Sequence, residues 1–163
     1  MQGLDYTSGV WQFEGYGFVP NGTSGATVAQ IHGAAHDSST IILRIYNGDM
    51  RYYSGDVIAT GMYDRWFKLN LIHDVEGGTV TVYIDDEQKF QTQDRGRSQF
   101  YFKCGVYAAP RDISYYMESR WRDIKIYKKW ITIKMEIMSL HQMYVQLLFE
   151  LYLICKKNVV EFI

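Results

Sequence analysis

The sequence predicts an all-β fold, a sandwich or jelly roll, from three observations. Short runs alternate apolar and polar residues, the period of half-buried strands. All 14 glycines and both prolines lie at or before Pro110, punctuating those runs. Aromatic residues make up 16% of the chain and are scattered through the short segments, as strands favour. At 163 residues the chain holds one domain with a real core.

The elements follow in order. Ala29–His32 lies between Gly25 and Gly33 and reads as a strand. In Thr40–Tyr46, Ile41, Leu43 and Ile45 share one face while Ile42, Arg44 and Tyr46 share the other. Trp66–His73 turns Phe67, Leu69 and Leu71 inward against Lys68 and Asn70 outward. Gly77-Gly78 turns the chain into Thr79–Ile84, where Val80, Val82 and Ile84 alternate with Thr79, Thr81 and Tyr83, a hairpin signature. Asp85-Asp86 offers a second turn before Lys89–Gln91, and Asp94–Arg97 a third before Gln99–Tyr107; Glu118–Tyr127 is the last expected strand. Beyond it, 130–163 has neither glycine nor proline and is rich in Ile, Leu, Met and Tyr, so a weakly amphipathic helix is expected. His141, Gln142, Gln146 and Glu150 interrupt its apolar stretch, which argues against a membrane span. The organisation expected is a sandwich domain over 1–129 and an atypical helical tail over 130–163, of composition foreign to the body.

Composition narrows the function classes. With 17 basic and 18 acidic side chains the formal charge is -1, so no global field draws the protein to nucleic acid or an anionic membrane. Cys104 and Cys155 form no C-x-x-C pair and give neither a disulfide framework nor a zinc pattern. Phosphate loops and a serine triad are not found, and His36, His73 and His141 lack partner spacing. Asp85-Asp86-Glu87 reads as a turn rather than a calcium site, so neither metal nor cofactor is expected. The N-terminus lacks the basic-then-apolar layout of a signal peptide. Asn21-Gly22-Thr23 is an N-glycosylation acceptor sequence, which matters only on the secretory route.

Two strands can carry chemistry. Gln30 and His32, two apart, point the same way, with Ala29 and Ile31 toward the core. In Tyr101–Tyr107, alternation puts Phe102, Cys104 and Val106 inward and Tyr101, Lys103, Gly105 and Tyr107 outward. Should the two strands be neighbours, an amide, an imidazole, an ammonium and a phenol line one face. Ordinary solvent-facing strand residues are the plainer account of the same pattern.

The QIH run at 30–32 and the YFKCGVY run at 101–107 resemble the alginate lyase 2 superfamily, polysaccharide lyase family 7 and its plant relatives, over Tyr6 to about Lys128. The stretches VWQFEGYGFVPNGTSG, YDRWFKLNLIHD and SYYMESRW are similar to the plant citrate-binding branch of that superfamily. The resemblance implies a concanavalin-like jelly roll whose groove is framed by these two strands. It implies β-elimination on a 1,4-linked uronate: a base takes the C5 proton, the C4 oxygen departs, and an enolate-like charge gathers on the carboxylate. Donors must face that charge, since one missing oxyanion donor costs about a hundred- to a thousand-fold in rate. By resemblance Gln30, His32 and Tyr107 are the catalytic set, with His32 a base when neutral and Tyr107 the acid, or both base and acid for the opposite epimer. Lys103, Tyr101 and Arg44 are the expected substrate-binding residues, Lys103 being also placed to ease ionisation of Tyr107. The family's Arg-Thr/Ser-Glu-Leu/Ile-Arg strand would end about where Met1-Gln2-Gly3 stands, so the expected domain is incomplete at its N-terminus.

Three readings follow. The first is a binder of carboxylate-rich ligands, citrate or an acidic polysaccharide, with weak or absent catalysis. The second is an active polyuronate lyase, and the third a truncated fragment without ligand function. Partners are an acidic polymer or a small polycarboxylate, with no nucleic acid or membrane. The resemblance implies the secretory route, toward vacuole or cell wall.

Overall fold

The computed structural model describes residues 4–129, where ten strands form two five-stranded antiparallel sheets. The first sheet holds β1 (Val10–Phe18), β6 (Trp66–Asp74), β7 (Thr79–Ile84), β8 (Glu87–Gln93) and β10 (Arg120–Lys129), in the order β10-β1-β6-β7-β8. The second holds β2 (Ala26–His32), β3 (Ser39–Tyr46), β4 (Asp49–Tyr52), β5 (Val57–Ala59) and β9 (Tyr101–Ala108), in the order β5-β4-β3-β2-β9. The jelly-roll sandwich predicted from the sequence is therefore the fold. The helix expected over 130–163 lies outside the described residues.

Alternation builds the core. Phe67, Leu69, Leu71, Val80, Val82 and Ile84 of one sheet meet Ile31, Ile41, Leu43, Ile45 and Met50 of the other, all fully or nearly fully buried. The two predicted hairpins form as expected. Between β7 and β8, Asp85 and Asp86 have φ of 52° and 66°, the left-handed pair of a two-residue turn matched to strand twist. The Asp85 carboxylate accepts the Lys68 amide and the Arg65 guanidinium, which pins that turn to β6.

Sequence reading did not mark β1, β4 and β5 as strands. In β1 the inward positions are Phe13, Gly15 and Gly17, so glycine sits where the pattern calls for a large apolar side chain. Gly17 is required by close approach: a Cβ there would lie 2.7 Å from Phe67 Cζ and 3.1 Å from Trp121 Cη2. β4 and β5 are too short, at 4 and 3 residues, to show a period.

A buried polar chain fixes the lead-in to β9. Tyr6 and Phe100 exchange backbone hydrogen bonds of 2.9 and 2.8 Å, and the Tyr6 hydroxyl meets His73 Nδ1 at 3.0 Å. On the other side of the ring, His73 Nε2 lies 3.3 Å from Asp94 Oδ2, while Asp94 Oδ1 accepts the Gly96 amide. Burial pushes the His73 imidazole below its ordinary range, opposed by Asp94, Asp74 and Glu76.

Two outcomes are expected. Gly17→Ala should lower unfolding free energy by about 1–3 kcal/mol, read from urea denaturation, because Phe67 and Trp121 must shift. For His73 the folded state binds a proton less readily than the unfolded chain. Its stabilisation is therefore present at neutral pH and lost as pH falls below about 6.5. The urea midpoint should drop more steeply between neutral and mildly acidic pH than in His73→Gln; parallel profiles would contradict it.

Candidate functional site

The ladder between β2 and β9 brings the two chemistry-bearing segments together. Gln30 stands opposite Lys103, His32 opposite Tyr101, and Thr27 opposite Tyr107. Directly opposed residues of an antiparallel pair share a face, so Gln30, His32, Tyr101, Lys103, Thr27 and Tyr107 lie on the outer face of the second sheet. Ile31 and Phe102 turn toward the core side.

Alternation alone misplaces one residue. Between the pairs Ala29–Cys104 and Thr27–Tyr107, the two residues Gly105 and Val106 oppose the single residue Val28. The extra residue makes a bulge, and Val106 is 40% exposed rather than inward as the strand period predicted. Gly105 carries the bulge at φ 144°, and a Cβ there would meet nothing within 4 Å. A chain of hydrogen bonds holds it from behind: Trp121 Nε1 donates to Ser119 Oγ (3.1 Å), which donates to the Gly105 carbonyl (2.7 Å). The indole itself packs edge-on against Phe13 and Phe67. β2 also shifts register against β3 between Thr27 and Ala29, so Val28 and Ala29 both enter the core and Thr27 shares the face of Gln30, three residues on. An open pocket of about 170 Å³ is lined by residues 27–30 and 103–107.

The individual groups are unevenly satisfied. Gln30 is 4% exposed, and its Oε1 is the one buried side-chain oxygen or nitrogen without a hydrogen-bond partner among the described residues. Leaving such a group unpaired costs about 1–3 kcal/mol. The His32 ring stacks on Tyr101, centroids 4.8 Å apart at 24°. Burial first and the Lys103 charge second hold its pKa below the ordinary imidazole value, which favours the neutral base at pH 7. Lys103 Nζ lies 5.2 Å from the Tyr101 ring centroid and has no carboxylate in ion-pair reach among the described residues. Tyr107 is half exposed, and its hydroxyl makes no hydrogen bond within them.

Arg44 of β3 stands opposite Thr27 and donates from Nε to Thr27 Oγ1 (3.4 Å) and from Nη1 to Ser54 Oγ (3.0 Å). It is 7% exposed yet has no acidic partner among the described residues, an uncommon state for a buried cation. Its guanidinium lies 5.6 Å from the Tyr53 ring, which Arg95 covers at 4.3 Å. Burial pushes the Tyr53 phenol up to about 12, Arg95 partly opposing, and the hydroxyl donates to the Ser39 carbonyl.

All six predicted site residues thus lie on β2, β3 and β9, with Arg44 toward the Thr27–Tyr107 end and His32 and Tyr101 at the other. Thr27 and Ser54 are not marked by the sequence, and Arg111 stands there only among the scattered arginines 95, 97, 111, 120 and 122, which could extend an anion track but read more simply as solvated. The double register shift hides Thr27, and Ser54 and Arg111 arrive from loops. Arg111 donates to the Ser54 carbonyl at 2.9 Å and lies 5.7 Å from the Tyr46 ring. Arg120 and Arg122, in contrast, belong to β10 of the opposite sheet.

The sequence profile of the alginate lyase family matches residues 1–128. The citrate-binding protein of Hevea brasiliensis is 52% identical over 128 residues, 78% of this chain and 54% of that protein, so the chain spans about half the length of the curated relative it matches. Among solved structures, the alginate lyase AlgAT5 of polysaccharide lyase family 7 aligns at a TM-score of 0.60 with 16% identity, over 77% of this chain and 62% of that one. The alginate lyase from Corynebacterium sp. aligns at 0.60 with 17% identity, over 76% and 60%. At such identities the two structures speak to the fold alone.

Replacing Gln30 by Leu removes the orphaned carbonyl and keeps the volume. The unliganded Gln30→Leu protein should be as stable as the parent or more so, by up to about 1–3 kcal/mol in chemical denaturation. A clear loss would mean that the amide is satisfied without ligand.

Proposed function

Because this chain belongs to the alginate lyase family, we propose that its β2–β9 groove binds carboxylate-rich ligands, citrate or an acidic polysaccharide, with elimination weak or absent in this chain. One observation carries the reading: among the described residues, a buried, unpartnered amide carbonyl lies on the same sheet face as two cations that have no acid of their own, Lys103 and Arg44. The amide at Gln30 both accepts and donates. A ligand hydroxyl satisfies Oε1 while a carboxylate takes Nε2 and the charges, and hydroxy acids and uronates offer both groups. The similarity to a protein named for binding citrate supports the smaller ligand.

A polyuronate lyase is the second reading, favoured by His32, stacked on Tyr101 and held toward its neutral form by burial and by the Lys103 charge. In that reading His32 takes the C5 proton, and the C5–H electrons form a C4–C5 double bond as the C4–oxygen bond breaks. The phenol of Tyr107 gives its proton to the departing oxygen, and Gln30 and Lys103 face the carboxylate where charge builds.

Calorimetric titration with citrate and with uronate oligomers is the direct test. Citrate or oligouronate should bind the parent, and Gln30→Leu or Lys103→Ala should weaken that binding at least tenfold. Loss of two charge-assisted contacts is worth about 1.5–3 kcal/mol each. Incubation with alginate and glucuronan separates the readings, because elimination leaves an unsaturated sugar absorbing in the ultraviolet. Absorbance that rises with time and disappears in both His32→Ala and Tyr107→Phe establishes the lyase, and its acid limb should then fall below the ordinary imidazole range. Fast amide exchange across β2 and β9 without binding of either ligand class would instead mark a fragment without ligand function.

A further inference from the structure

We infer that Asn21 is an acceptor for an N-linked oligosaccharide and that this acceptor is open only before the fold closes, since folding withdraws the threonine of its own recognition triplet.

Pro20, Asn21, Gly22 and Thr23 form a tight turn closed by the Thr23 amide on the Pro20 carbonyl at 3.2 Å, with Gly22 at φ 87°, the pattern of a type II turn. Asn21 is exposed, its backbone amide is held by Asp64 Oδ1 at 3.0 Å, and its side chain makes no hydrogen bond within the described residues. A Cβ built on the adjacent Gly22 would meet nothing within 4 Å, so the turn projects into open space. A bulky hydrophilic group on Asn21 displaces no packed atom there.

Thr23 is the opposite case, at 0% exposure. Its hydroxyl accepts the Glu118 amide at 3.0 Å and donates to the Glu118 carbonyl at 3.4 Å, so both of its hydrogen-bonding roles are taken by the entry to β10, 95 residues along the chain. The Thr23 carbonyl is held in turn by the Tyr63 hydroxyl at 2.5 Å. A transferase that reads the triplet must reach the amide and the hydroxyl together. In the folded protein it reaches only the first. On the secretory route that the family resemblance implies, Asn21–Thr23 enters the lumen before Glu118 is synthesised, and that interval is the window for transfer.

The step is a substitution without redox change. Asn21 Nδ2 bonds to the anomeric carbon of an oligosaccharide carried on a lipid pyrophosphate. The carbon–oxygen bond to the pyrophosphate breaks, the lipid pyrophosphate leaves with the electron pair, and the amide nitrogen gives up one proton. The competing account places Thr23 there solely for its bonds to Glu118, in which case the triplet is never modified.

The test is translation of the full chain, behind an export leader, into endoplasmic-reticulum microsomes. The parent should gain mass that peptide N-glycosidase removes, whereas Asn21→Gln should not, as Asn21-Gly22-Thr23 is the sole such triplet in the sequence. An unshifted parent overturns the assignment. In a second arm the purified folded chain is offered to detergent-solubilised microsomes with the lipid-linked donor. No transfer is expected, and transfer comparable with the nascent chain would overturn the claim that folding closes the acceptor.

Discussion

The β2–β9 ladder is the constraint on which the rest depends. It is the contact that turns two sequence-distant polar runs into one surface, and its register sets which side chains face each other across about 5 Å. A slip by one residue would send Gln30 and His32 into the core and expose Ile31. The burial of Ile31, Phe100 and the neighbouring core residues therefore locks the polar face as firmly as the apolar one. Among the described residues β9 is an outer strand of its sheet, so register there is held from the ends. Tyr6, His73 and Asp94 anchor its lead-in, and Trp121 with Ser119 anchors the bulge at Gly105.

The groove is electrostatically unfinished in the described residues. A buried guanidinium without an acid and a buried carbonyl without a donor each raise the free energy of the unliganded protein. Both are tolerated because the sandwich around them is well packed. In the binding reading proposed above, a ligand that supplies the missing partners returns that cost, and part of the binding energy is then relief of poor solvation rather than new contact area. Lys103, held over the Tyr101 ring and next to His32, adds a second cation to the same face. Burial first and the Lys103 charge second hold the His32 imidazole below its ordinary range, so in the readings proposed above the same cation bears on both binding and proton abstraction.

The first sheet contributes to the site only indirectly, yet its details reach it. Gly17 makes room for Phe67 and Trp121, and the indole so placed carries the hydrogen-bond chain to Gly105. A glycine on an inner strand of one sheet thereby bears on the backbone path of β9 in the other.

The sequence by itself determined the all-β class, both hairpins, the inward faces of β3, β6 and β7, and the pairings of Gln30 with His32 and Lys103 with Tyr101 on common strand faces. These follow from strand period and turn chemistry, which are local. It left β1 unmarked because glycines occupy its inward positions, and it set Val106 inward because a period of two cannot anticipate a bulge. Only the tertiary structure decided that β2 and β9 are neighbours, that Thr27 joins the groove face, and that Arg44 is buried without an acid among the described residues. The same holds for the occupation of the Thr23 hydroxyl by Glu118. Each of these depends on strand order, register shifts or contacts between residues 17 to 95 positions apart, and such choices are made by packing of the whole sandwich rather than by any run of residues within it.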